Sequence, residues 1–154
     1  MKPRRKRMDH IISAAPAAEE QATDGIAIAG AAITIELIEL IRKGLDVKAL
    51  KAFSEESGFG IHELAVYARI PSRTMARRLR EGKFPQDESE RLVRIMSLFA
   101  KTKRLLSSAE RAKRWLTTPK ISFNGQTPLE FADTDLGARE VEYLLINIEY
   151  GSFF

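Results

Sequence analysis

The 154-residue chain contains no cysteine. That excludes a disulfide framework and any thiolate metal site, and it suits a reducing cytoplasm. Histidine is almost as scarce: His10 lies in a basic arm, and His62 reads as a helix-start or surface residue. Neither stands at metal-ligand spacing from carboxylates. No apolar run approaches the roughly 18–20 residues that a membrane span needs. The N-terminal MKPRRKRMDH is basic, but the following ISAAPAAEEQATDG carries acids and no continuous apolar core, so it does not read as a secretory signal. No Gly-rich phosphate loop is present, and Ser107 and Ser108 have no candidate base nearby in sequence. The lone tryptophan, Trp115, shares a helical arc with Ala112 and Leu116 and reads as core. These absences argue against an enzyme and for a chain that needs neither cofactor nor metal.

What is present is a hydrophobic content of 44%, enough for one medium domain or two small ones, and an uneven net charge of +4. Arg and Lys crowd residues 2–7, 69–83 and 101–120. From Thr127 onward the acids Glu130, Asp133, Asp135, Glu140, Glu142 and Glu149 face Arg139 alone. A basic middle and an acidic end predict two different kinds of partner.

Residues 1–24 read as a flexible basic arm. The β-branched run Ile26–Ile35 fits helix or strand, whereas Leu37, Leu40 and Ile41 have helical spacing before a stop at Lys43-Gly44. Asp46 is the expected cap of a helix through Val47, Leu50 and Phe53 that closes at Ser57-Gly58. A long helix opens on Asp87, Glu88 and Glu90 and closes on Lys101, Lys103 and Arg104, the polarity that the helix dipole favours. Its core stripe is Leu92, Ile95, Met96 and Phe99. Ser107-x-x-Glu110 predicts a capping box for the next helix. Asn124-Gly125 is a turn signal, and Thr127-Pro128-Leu129-Glu130 combines N-cap, N1 proline and box glutamate. Asp133 or Thr134 is expected to cap the final helix. Everything after residue 36 reads helical.

Residues 61–82 have the proportions of a helix-turn-helix, with Arg69-Ile70-Pro71 as the connection. Ser72 is the N-cap candidate of the second helix, in which Met75, Ala76 and Leu79 share one arc. Arg73, Arg77 and Arg80 share another, with Thr74 and Arg78 beside them. Such a helix can lie in the major groove, its N-terminus meeting a phosphate while arginine forks reach guanine edges or backbone. A solvated arginine face is the plain alternative. Five arginines between residues 69 and 80, with Glu81 the one acid nearby, favour DNA. The turn position often held by glycine is here Arg69.

The last stretch, Gly137–Phe154, carries two apolar faces. Val141, Leu144, Leu145 and Ile148 form one stripe; Tyr143, Ile146 and Tyr150 repeat on roughly the opposite side. One face docks a helix on its own domain, and the second needs another owner. Gly151 then stops the helix ahead of Ser152-Phe153-Phe154. Two phenylalanines at a chain end, each worth about 1.5–3 kcal/mol if buried, call for a cover. Either a partner supplies it, or a small bundle covers both faces and folds the tail back.

Several ordered motifs then add a resemblance. They are Ile70-Pro71-x-Arg73-Thr74-x-x-Arg77-Arg78, Glu88-Ser89-x-Arg91-Leu92-x-Arg94, Ala112-x-x-Trp115-Leu116-x-x-Pro119 and Gly125-x-Thr127-Pro128. Thr134-x-x-Gly137 and Val141-x-x-x-Leu145-x-x-Ile148-Glu149-x-Gly151-x-Phe153 follow. Together, from about Gly44 to the end, they resemble the Xre/MbcA/ParS antitoxins of RES-Xre toxin–antitoxin pairs. The resemblance implies an all-α chain: an Xre-like helix-turn-helix domain followed by a small helical toxin-binding and dimerisation domain. The boundaries expected are an arm over 1–24, a helical region over 25–100 and a C-terminal domain over 101–154. The implied partners are operator DNA of its own promoter, a cognate RES-domain toxin that consumes NAD+ or transfers its ADP-ribose, and a second copy of the chain. No membrane partner is implied, and the expected location is cytoplasmic. The expected DNA-binding residues are Ser72, Arg73, Thr74, Arg77, Arg78 and Arg80. The expected toxin-binding residues are Tyr143, Ile146, Asn147, Glu149, Tyr150, Gly151, Ser152, Phe153 and Phe154. A stand-alone transcriptional regulator whose C-terminal half only dimerises is the alternative.

Overall fold

The structure is a computed structural model that describes the backbone of residues 24–151 and side-chain surroundings from residue 34 onward. The arm expected over 1–24, save its last position, and Ser152, Phe153 and Phe154 lie outside the described residues. Helix α1 (Asp24–Lys43) includes the β-branched run that fitted either helix or strand. Leu37, Leu40 and Ile41 lie partly buried against the core, while Ile35 and Ile38 stay exposed. After it come α2 (Val47–Ser57), α3 (Ile61–Tyr67), α4 (Ser72–Glu81) and the long α5 (Gln86–Leu106). Then follow α6 (Ala109–Leu116), a 3-10 turn at Ile121–Phe123, the short α7 (Pro128–Phe131) and α8 (Asp135–Glu149). Among the described residues there is no strand, and no helix is long and apolar enough to cross a membrane.

Helix α5 is the axis of the fold. Its buried stripe of Leu92, Ile95, Met96 and Phe99 is the one that helical spacing predicts, widened by Val93 and Leu98. It meets α1, α6 and α8, and one continuous apolar cluster runs from Leu45 to Leu145. Rings gather at one level of this core. Phe99 meets Phe53 edge-on at 5.3 Å and Phe59 at 6.2 Å, and Tyr67 closes on Phe59 at 6.3 Å.

The junction between α1 and α2 is laced to the junction between α4 and α5. Val47 N–H donates to the Gly82 carbonyl (3.0 Å) and Phe84 N–H to the Leu45 carbonyl (3.0 Å). Leu45 N–H donates to Ser89 Oγ at 2.8 Å, and that hydroxyl donates to the Phe84 carbonyl at 3.2 Å. Gly44 admits this close approach. Its φ is +90°, and a Cβ there would lie 2.4 Å from the Phe84 carbonyl oxygen.

Local signals place most helix ends, and three corrections follow from the geometry. Ser72 is the first helical residue rather than the cap: Pro71 holds the N-cap position, and no side chain closes it. Ser107 does not start α6. It ends α5 in a left-handed conformation (φ 55°), and Ser108 caps α6 by accepting from Arg111 N–H. Glu110 turns instead to Arg114 at 2.9 Å, so the Ser107–Glu110 box does not form. Ala76 is exposed, because α4 turns only a narrow stripe of Met75 and Leu79 inward. Asp46 takes the N-cap position of α2 as expected, but its side chain makes no capping bond there. Two capping signals further on form as read. Thr127 and Glu130 exchange both capping-box bonds at 3.1 and 2.8 Å, and Thr134 caps α8 by accepting from Gly137 N–H. Asn124 and Gly125 both take positive φ in a tight turn closed from Gln126 N–H to the Phe123 carbonyl.

Candidate functional site

The connection between α3 and α4 is a Schellman turn. Ile70 N–H donates to the Ala65 carbonyl and Arg69 N–H to the Val66 carbonyl, with Arg69 left-handed at φ 53°. Its guanidinium pairs with Asp133, the residue before the α8 cap. Arg91 Nε donates to the Ala68 carbonyl at 2.7 Å, and Arg94 Nη1 to the Asp133 carbonyl at 3.1 Å. The turn of the helix pair is thereby fastened both to α5 and to the α7–α8 junction.

Met75 anchors α4 in the core, so the opposite side of the helix faces water. There Arg73, Thr74, Arg77 and Arg80 line one shallow, open depression. Arg77 lies 3.6 Å from Glu81 across one helical turn, an exposed pair with little hold on either side chain. Ser72 is exposed at the start of the helix. Arg78, expected beside this arc as a further DNA contact, does not line the depression. Its side chain is only 17% exposed and grips Glu88 with two bonds, Nε to Oε2 at 2.8 Å and Nη2 to Oε1 at 3.1 Å. Its Nη1 donates to Glu81 at 3.0 Å. Glu88 first, then Glu81, hold the guanidinium well above its ordinary proton affinity. Glu88 escaped the sequence reading, because a first-turn acid is ordinarily a solvated dipole partner.

Helix α8 presents the two faces that its spacing predicts. Val141 and Leu145 are buried and Leu144 is packed against the core. On the other side Tyr143, Ile146 and Tyr150 stand 56%, 48% and 79% exposed, and Leu136, 74% exposed, extends the stripe by two turns. Leu136 was missed from sequence, although it lies seven residues before Tyr143 on the same arc. Asn147 shares this arc, and its amide nitrogen is buried without a hydrogen-bond partner. Glu149 is exposed, and Gly151 ends the helix at φ 70°. Ser152, Phe153 and Phe154 lie outside the described residues. After α6, Lys120 sits 5.0 Å over the Trp115 ring, and burial pushes its ammonium below the ordinary lysine value.

Comparison with known proteins matches two stretches of the chain. Residues 36–97 match the antitoxin Xre-like helix-turn-helix domain, and residues 102–151 match the antitoxin Xre/MbcA/ParS C-terminal toxin-binding domain. An antitoxin Xre of Pseudomonas putida is 39% identical over 83 residues, covering 53% of this chain and only 52% of that relative. One of Yersinia enterocolitica is 28% identical over 119 residues, 76% of this chain and 80% of the relative. One of Photorhabdus laumondii is 30% identical over 114 residues, 73% of this chain and 77% of the relative. With an all-α fold, an exposed arginine helix and a two-faced C-terminal helix in the matching segments, the chain belongs to the Xre/MbcA/ParS family of antitoxins, which join a helix-turn-helix domain to a toxin-binding domain.

Proposed function

We propose that this antitoxin neutralises a RES-domain toxin, one that consumes NAD+ or transfers its ADP-ribose, by laying the exposed face of α8 and the chain end over the toxin's active site. The observation that carries the reading is the unpartnered stripe of Leu136, Tyr143, Ile146 and Tyr150 on a helix whose other face is already buried. An apolar patch of this kind on a small soluble chain marks a protein contact. Aromatic residues in it suit the desolvated centre of an interface. Glu140 and Glu149 flank the stripe, and an acidic, aromatic surface complements a pocket built with basic groups for pyrophosphate. Asn147, Gly151, Ser152, Phe153 and Phe154 complete the proposed contact.

The same chain represses its own operon through α4, as a homodimer whose helices enter successive major grooves. Arg73, Thr74, Arg77 and Arg80 supply phosphate and base-edge contacts, and Ser72 stands at the helix start beside them. A dimer of this kind reads half-sites about 34–36 Å apart, or a multiple of that distance.

Deleting Tyr150–Phe154 and measuring rescue of cells that express a RES-domain toxin neutralised by the full chain tests the plug. Loss of rescue with retained co-purification is expected, because the α8 face still docks while the active site stays open. Undiminished rescue would refute the insertion.

A further inference from the structure

Resting on the reading of α4 as the DNA-contacting helix, we propose that Arg78 touches no DNA: it is a positioning residue that sets the rotation of α4. Backbone bonds hold the turn before the helix and the junction after it, but of its ten residues Met75 alone is buried and Leu79 half-buried. Two apolar side chains a turn apart fix the distance of a helix from its domain better than its roll about its own axis. A bidentate guanidinium–carboxylate pair fixes both, since two near-parallel N–H···O bonds tolerate little rotation. Glu88 is suited to receive it, for its side chain is 9% exposed and sits in the first turn of α5. At about 100° per residue, Arg78 lies some 140° around α4 from Arg73, so locking one direction aims the other. With Glu88 and Glu81 both on the guanidinium, the cluster carries no net positive charge to offer a phosphate.

The two possible roles of Arg78 make opposite predictions for Glu88. If Arg78 were a DNA contact, Glu88 would be its competitor, and neutralising the acid would release the arginine and tighten binding. If Arg78 is a clamp, neutralising either partner loosens α4.

The test titrates the full chain against a duplex of its own promoter at several salt concentrations. The variants are Arg77→Gln, Arg78→Gln, Glu88→Gln and the double Arg78→Gln/Glu88→Gln. Amide hydrogen exchange of α4 is followed without DNA. Arg77→Gln should lower the salt slope by about 1, as a lost phosphate contact does. Arg78→Gln and Glu88→Gln should each weaken binding about tenfold at unchanged slope, with the double no worse than either single. Both should also speed exchange in α4 relative to α5, while Arg77→Gln leaves it as in the wild type. A reduced slope in Arg78→Gln, together with unaltered or tighter binding by Glu88→Gln, would overturn the proposal. A wild-type chain that binds no promoter duplex at low salt would sink the DNA reading itself. Exchange in α4 that is unmoved by Glu88→Gln would sink the clamp on its own.

Discussion

Arg69 stands where a helix-turn-helix turn usually carries glycine, and it adopts the left-handed backbone that makes glycine the usual choice. An L side chain in that region costs about 1–2 kcal/mol. Its pairing with Asp133 offsets part of that cost, though at 70% side-chain exposure such a pair is worth little. Comparing Arg69→Gly with Arg69→Ala isolates the backbone strain, since both lose the ion pair. The glycine variant should be the more stable by about 1 kcal/mol in a urea titration. Equal stability would mean that the turn is unstrained. The departure at residue 69 was visible in the sequence, but its partner was not: Asp133 lies 64 residues away, and nothing local announces it. Arg78 and Glu88 repeat the lesson. Residue type and spacing put five arginines on and beside α4, yet which of them turn outward depends on what the next helix places underneath.

At the level of elements, signals confined to three or four residues were legible and signals spread across a junction were not. Thr127 to Glu130 reads as a capping box because both its bonds are internal to the motif, and Thr134 caps α8 for the same reason. The boundary at Ser107-Ser108 slipped by one residue. Either serine can cap, and the choice fell to the left-handed end of α5. Gly137 marks the tightest junction. A Cβ there would sit 1.8 Å from the Phe131 carbonyl oxygen, so Gly137→Ala must push α8 off α7 and should cost about 2–3 kcal/mol. A melting temperature within a degree of the wild type would show that the helices part freely. At the start of α3, Glu63 accepts from Gly60 N–H at 3.1 Å and pairs with Lys113 at 3.2 Å. The backbone bond foremost, against a smaller opposing effect of burial, holds its carboxyl below the ordinary glutamate value. A carboxyl depressed on folding stabilises the protein above its unfolded pKa, and that contribution is lost as the pH falls through the folded value. Stability should therefore drop more steeply between about pH 5 and 3 in the wild type than in Glu63→Gln. Parallel pH curves would rule out the linkage.

For the molecule as a whole, one helix joins the two proposed contact surfaces. Helix α5 receives the Arg78 fork in its first turn, carries the central core stripe, and bonds through Arg94 to the Asp133 carbonyl just ahead of α8. The two surfaces proposed for partners differ in kind, arginine-lined on α4 and apolar with acidic flanks on α8. The basic middle and acidic end were legible as charge, and the outer apolar stripe of α8 as helical spacing. The central claim is that the outer face of α8 is kept for the toxin. Tyr143→Asp/Ile146→Asp tests it most directly, since both side chains are exposed and neither belongs to the buried core. In cells expressing a RES-domain toxin that the wild-type chain rescues, the double variant should lose rescue and co-purification with the toxin, while its melting temperature stays at the wild-type value. Full rescue by a variant that carries two aspartates on this face would contradict the account.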